Sequence, residues 1–113
     1  MIIVNKELNK DEMIEIAART FGEMTKGVVD VNQKILAIDA DLHADLEELL
    51  LDQGSLQQNL WGINIYPELE GNDAIEFDSL INIRPKQNNR SRGVEDENVQ
   101  KQIMDIVHKW VKL

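Results

Sequence analysis

The chain has 113 residues, 42% hydrophobic and 29% charged, with a formal net charge of -9 and no cysteine. That length holds one domain, whose core buries roughly two-thirds of the surface the unfolded chain exposes. The lack of cysteine excludes disulfides, thiolate metal sites and thiol nucleophiles; the charge opposes binding to nucleic acid or an anionic membrane, and the apolar runs are too short to span one.

Residues 1–4, followed by Asn5 and Lys6, read as a short strand, too short an apolar run for a signal peptide and without its basic n-region. Asn9 followed by Glu12 forms a capping-box pattern. Met13, Ile14, Ala17, Ala18, Phe21 and Met24 then recur at helical spacing, which predicts a helix over 10–22 ended by Gly22 and Gly27. Residues 28–31 and 35–38 flank Asn32, Gln33 and Lys34 and predict a β-hairpin. Asp45 with Glu48 offers a second capping box, with Asp41 as a rival cap. Leu46, Leu49 and Leu50 give a short buried helix stopped at Gly54. Residues 60–66 and 74–84 read as strands joined by a loop through Gly71, Asn72 and Asp73, and Pro85 ends the second. Asp96 caps a last helix striped by Val99, Ile103, Ile106, Val107 and Trp110. The expected fold is a single α+β domain on a mostly antiparallel sheet, in the order β-α-β-β-α-β-β-α.

The charge is uneven. Residues 39–52 carry six carboxylates without a Lys or Arg, whereas residues 84–92 carry Arg84, Lys86, Arg90 and Arg92 without an acid. A local reversal of sign in so acidic a chain points to an anion site or to a basic surface meeting an acidic one. Strand alternation across 77–84 would put Asp78, Leu80, Asn82 and Arg84 on one face. Asn64 and Tyr66 would share the polar face of the preceding strand, with Gly62 leaving room for a ligand or another backbone. That face reads as a cleft lining or as a solvated sheet face.

Residues 88–93 precede a helix start, so backbone N–H groups and the forks of Arg90 and Arg92 can converge on a phosphate or carboxylate, with Asn89 beside them and Gly93 supplying a left-handed position. The bland alternative is a solvated loop whose arginines pair with nearby acids. Neither phosphate-loop nor dinucleotide-binding glycine patterns occur, and no cofactor is expected. His43 stands among Asp39, Asp41, Asp45, Glu47 and Glu48. It reads as a general base, as one ligand of a divalent metal, or as part of an acidic helix entrance; a single His fits no zinc pattern, so no metal is expected. Trp61 and Trp110 read as core or interface anchors, with Trp61 a wall for a ligand as the alternative.

Three blocks, residues 42–55 (LHADLEELLLDQGS), 60–68 (LWGINIYPE) and 77–96 (FDSLINIRPKQNNRSRGVED), resemble a family of short prokaryotic proteins known as a domain of unknown function. The resemblance runs almost end to end and implies no activity. It does imply that the His43 block and the arginine loop belong to one design.

The leading expectation is a small cytoplasmic protein binding a small anionic ligand. Arg84, Arg90 and Arg92 would hold the anion, Asn64, Asn82 and Asn89 would orient it, and Trp61 or Tyr66 would wall it. In a catalytic version, by hydrolysis or phosphoryl transfer, His43 or Asp78 is the base. The rival is a non-catalytic interaction protein, in which the basic loop 84–93 docks on the acidic segment 39–52 of another copy or of a different partner. Neither reading involves nucleic acid or a membrane.

Overall fold

A computed structural model describes residues 1–113. Five strands form one antiparallel sheet: β1 (Ile2–Ile3), β3 (Thr25–Asp30), β4 (Ile35–Ile38), β5 (Leu60–Ile65) and β6 (Ile75–Glu76), in the spatial order β1-β4-β3-β5-β6. A second, parallel pair joins β2 (Leu8–Asn9) to β7 (Val111–Lys112). Three helices complete the α+β fold: α1 (Lys10–Ala18), α2 (His43–Asp52) and α3 (Glu97–Trp110).

Strand alternation divides the core in two. Val29, Leu36, Ile38, Trp61, Ile63 and Ile65 face α1 and α3, packing on Met13, Ile16, Ile103, Ile106 and Val107. Val28, Ala37 and Leu60 face the other way, onto Leu46 and Leu50 of α2. Each fully buried Val, Leu, Ile or Met among them contributes about 1.5–3 kcal/mol. Because α2 is only 10 residues long, it covers part of its sheet face. The remainder of that face, around the ends of β3, β5 and β6, is left open beside the N-terminus of α2.

Local chemistry explains the boundaries. The capping box forms as the sequence predicts: Glu12 N donates to Asn9 Oδ1 at 2.8 Å and Asn9 N to Glu12 Oε1 at 3.2 Å. However, α1 stops at Ala18, so Phe21 and Met24 lie beyond it, and Gly27 sits inside β3. Both expected caps of α2 are displaced. The N-cap is Leu42, which has no side chain able to accept a bond, and Asp45 falls inside the first turn. At the other end Gly54, at φ 98°, allows Ser55 N to donate to Leu50 O and Gly54 N to Leu51 O. This double closure is the common left-handed glycine exit from a helix. Asp96 caps α3 through Asn98 N at 2.8 Å.

The largest departure lies after Glu76. The predicted strand over 74–84 survives only as β6; the chain then makes short 3-10 turns at Leu80–Asn82 and Pro85–Gln87. The Ser79 hydroxyl accepts from Ile81 N at 3.3 Å, a local bond that competes with strand pairing. The segment still lies along the outer edge of β5, but it pairs through side chains. Asn82 Oδ1 accepts from Gly62 N at 2.8 Å, and Asn82 Nδ2 donates to Gly62 O at 2.9 Å. Arg84 Nη2 donates to Leu60 O at 2.7 Å. An amide and a guanidinium thus complete the edge that β6 abandons. The space at Gly62 is filled by this segment rather than by a ligand: a Cβ there would come within 2.5 Å of Ser79 Cβ.

Candidate functional site

The open part of the α2 face is a cleft of about 530 Å³. Its floor is a row running across three neighbouring strands, because the registers place Lys26 of β3 opposite Asn64 of β5, and Asn64 opposite Glu76 of β6. Tyr66 continues the floor past the end of β5, and His43 and Ala44 of α2 form one wall. Asp78, Ser79, Leu80, Ile81 and Arg92 form the opposite wall. Met24 and Leu42 complete the lining.

His43 is the first residue of α2 and is buried. Its Nε2 lies 2.8 Å from the carbonyl oxygen of Ile63. A carbonyl only accepts, so Nε2 carries the proton of the neutral ring and Nδ1 is left as the proton acceptor. Burial pushes the imidazole below its ordinary pKa, and the nearby Lys26 ammonium adds to that effect. The Ile63 carbonyl, Asn64 and Asp78 oppose it in part. The ring is therefore a neutral base at physiological pH.

Asn64 is 5% exposed. Its Nδ2 donates to Glu76 Oε1 at 2.8 Å and, more weakly, to Asp78 O at 3.4 Å. Its Oδ1 is buried without any hydrogen-bond partner. Such an orphan costs about 1–3 kcal/mol relative to a satisfied one. The Tyr66 hydroxyl donates to the same Glu76 oxygen at 3.2 Å. Tyr66 ionises above its usual range because of partial burial and the Glu76 carboxylate, so it stays a neutral donor.

The charges are arranged unequally. Arg92 Nε donates to Asp78 Oδ1 at 2.7 Å, which pairs those two with each other. Lys26 makes no ion pair, its Nζ lying 5.1 Å from the centre of the Phe21 ring. Glu76 meets only the two neutral donors described above. The first turn of α2 has no side-chain cap, and its N–H groups carry the positive end of the helix dipole toward the same space.

The structure thus brings His43, Asn64, Tyr66, Asp78 and Arg92 together, from four separate stretches of chain. It does not bring the other expected residues there. Asn82 is fully buried and holds β5 as described, also donating to Arg92 O at 2.9 Å. Asn89, 2% exposed, donates through Nδ2 to Asn82 O at 2.7 Å and Gly93 O at 2.8 Å, and accepts from Glu95 N at 2.9 Å. Arg84 stacks over Trp61, its guanidinium carbon 4.1 Å from the ring centre, and donates to the carbonyls of Gln57 and Leu60. Trp61 packs in the α1/α3 core.

Arg90 is exposed, away from the cleft. Its backbone N–H and that of Ser91 donate to Glu95 Oε2 at 2.6 and 3.0 Å, so the anion held by that loop is the chain's own carboxylate. Those two bonds hold the Glu95 carboxyl below its usual range. The left-handed position in the loop belongs to Asn88, at φ 61°, and not to Gly93. The acids near His43 do not gather with it into a metal-holding group.

Sequence reasoning missed Lys26 and Glu76. Both were recoverable from alternation. Had β3 been extended back to Thr25, Lys26 would have fallen on the Val28 face beside Asn64. Glu76 stands at the last position that pairs with β5.

The fold and cleft define a small α+β protein with an open, mixed-charge cleft on one sheet face, flanked by a helix N-terminus. The chain belongs to the DUF5674 family, described as a protein of unknown function, whose sequence pattern matches residues 2–110. Neither a curated protein nor a solved structure matches it. None of its helices is long and apolar enough to cross a membrane.

Proposed function

We propose that this protein binds a small anionic ligand in the cleft between α2 and the β3-β5-β6 floor, and does so in the cytoplasm. The carrying observation is the convergence of an unpaired Lys26, the uncapped first turn of α2 and the orphaned Asn64 Oδ1 on one cleft. Lys26 and the α2 N–H groups supply positive potential, and Arg92 lines the same wall while holding Asp78. A cleft of this size, lined by a few converging polar groups and an apolar rim, suits a small molecule better than a polymer. His43 adds a proton acceptor at Nδ1, which suits a proton-transfer step on the bound molecule. In the rival docking reading, Arg84 and Arg92 are already engaged within the chain, leaving Lys86 and Arg90 as its free cations.

A thermal-shift screen against carboxylates, sugar phosphates and nucleotides, at low and high salt, tests the proposal. A ligand at a hundredfold excess over its Kd stabilises the native state by about 2.7 kcal/mol. The expected result is a shift that weakens in salt, is lost in Lys26→Met and persists in Arg90→Ala. A shift abolished by Arg90→Ala but untouched by Lys26→Met would move the site to the arginine loop and overturn this reading.

A further inference from the structure

We infer that the ligand of this cleft is a zwitterion of free amino-acid type, carrying an ammonium and a carboxylate, with an apolar side chain. The inference rests on the anion-site reading above and extends it to the other half of the ligand.

The row Lys26, Asn64, Glu76 presents a cation, a neutral amide and a carboxylate on three adjacent strands. Neighbouring strands lie about 4.8 Å apart, so the two charged residues start about 10 Å apart at their Cα atoms. Their side chains are long enough to lean inward over Asn64, and they do not pair with each other. An anion alone would satisfy the Lys26 end. It would also be repelled by Glu76, which lines the same cleft. A cation alone would meet the reverse conflict. A molecule carrying both charges matches each end.

Hydrogen-bond accounting fixes the orientation. Glu76 already accepts two neutral donors on Oε1, leaving Oε2 free. Asn64 Oδ1 has no donor at all. Acceptors without donors on two residues paired in the row call for an N–H-rich cation, such as an ammonium with its three N–H bonds. The carboxylate then falls toward Lys26 and the first turn of α2, where charge and helix dipole favour it.

The apolar part has a place as well. Leu42 and Leu80, 56% and 66% exposed, both line the cleft. Two leucines so open to water at the mouth of a polar cleft suit a hydrophobic side chain lying between them.

Isothermal titration calorimetry on the intact chain tests this with L-leucine as the probe. The comparison ligands are L-leucinamide, which lacks the carboxylate, N-acetyl-L-leucine, which lacks the ammonium, and inorganic phosphate. L-leucine is expected to bind, and each analogue missing one charge to bind about tenfold or more weakly, because each loses charge-assisted hydrogen bonds. Lys26→Met and Glu76→Gln should each weaken L-leucine by a similar factor. The ligand series on the unaltered protein decides the matter even where a variant folds poorly. If N-acetyl-L-leucine or phosphate binds as tightly as L-leucine and Glu76→Gln changes nothing, the anion site stands and the zwitterion inference is overturned. If L-leucinamide binds as tightly as L-leucine, the carboxylate is irrelevant and both readings fall. Silence from every probe counts against both.

Discussion

The cleft beside α2 and the segment 79–95 are both rich in polar side chains, yet they differ in what those side chains have left to give. Along 79–95, Asn82 and Asn89 have used their polar groups on backbone atoms, Arg84 has spent both Nη groups there with only Nε left over, and the Glu95 carboxylate fills the turn at Arg90 and Ser91. In the cleft, Asn64 Oδ1 has no partner, and Lys26 and Glu76 have no opposite charge. Density of polar residues marks both regions. Unspent capacity gathered on one cavity, rather than left at a single atom such as Arg84 Nε, separates a site from a structural device.

That contrast makes the segment sensitive in stability and the cleft sensitive in affinity. The largest effect is expected for Asn82→Asp. It keeps the shape but turns the donor facing Gly62 O and Arg92 O into an acceptor, leaving two buried carbonyls opposed by a carboxylate. A loss of about 3 kcal/mol or more should appear in urea unfolding, because each buried unsatisfied group costs about 1–3 kcal/mol. A loss below 1 kcal/mol (about the net worth of one hydrogen bond) would mean that the edge of β5 does not depend on this amide.

Next come the arginines. Arg84→Ala removes the stacking on Trp61 and the bonds to Gln57 O and Leu60 O, and should cost about 1–2 kcal/mol. Arg90→Ala, by contrast, should fall within about 0.5 kcal/mol of the unaltered protein. Equal effects on melting temperature would erase the distinction between an engaged arginine and a free one.

A finer, conditional effect is the pH dependence set by His43. Burial lowers its folded-state pKa below the unfolded value of about 6.5, so below that pH the unfolded chain takes up the proton first. Its contribution is level above about pH 6.5 and stability falls as pH drops from there toward the folded pKa. His43→Gln retains a donor for Ile63 O and has nothing to titrate. Urea midpoints from pH 8 to 5 should therefore converge on, or cross below, those of the variant as the pH falls. Parallel curves would show that the imidazole is not held neutral.

Much of the fold was legible in the sequence because periodic burial dominates it. The 28–31 and 35–38 hairpin, the α3 stripe and the caps at Asn9 and Asp96 follow from spacing and side-chain chemistry. The stretch 77–84 was misread for a physical reason. Its alternation imitates a strand, and the segment does lie on the edge of β5, but Ser79 bonds to its own turn and Asn82 supplies the pairing from a side chain. The α2 entrance was misread because Asp41 and Asp45 are favourable caps in isolation, while burial of Leu46 and Leu50 against the sheet places Leu42 at the cap. Among the site residues, His43, Asn64, Tyr66, Asp78 and Arg92 meet as a group. Asn82, Arg84 and Asn89 are spent elsewhere, a distinction that depends on partners distant in sequence.

The amide that closes the edge of β5 also has a bearing on how this chain behaves in a crowded solution. An uncovered strand edge is a template on which a second chain can add. At Leu60–Gly62 no strand pairs with β5 on that side; Asn82 and Arg84 stand in its place. Loss of the amide, with only the Arg84 guanidinium left on that edge, would therefore do more than loosen the monomer. It would leave β5 open to strand addition and growth into aggregates, so Asn82 guards solubility as well as shape.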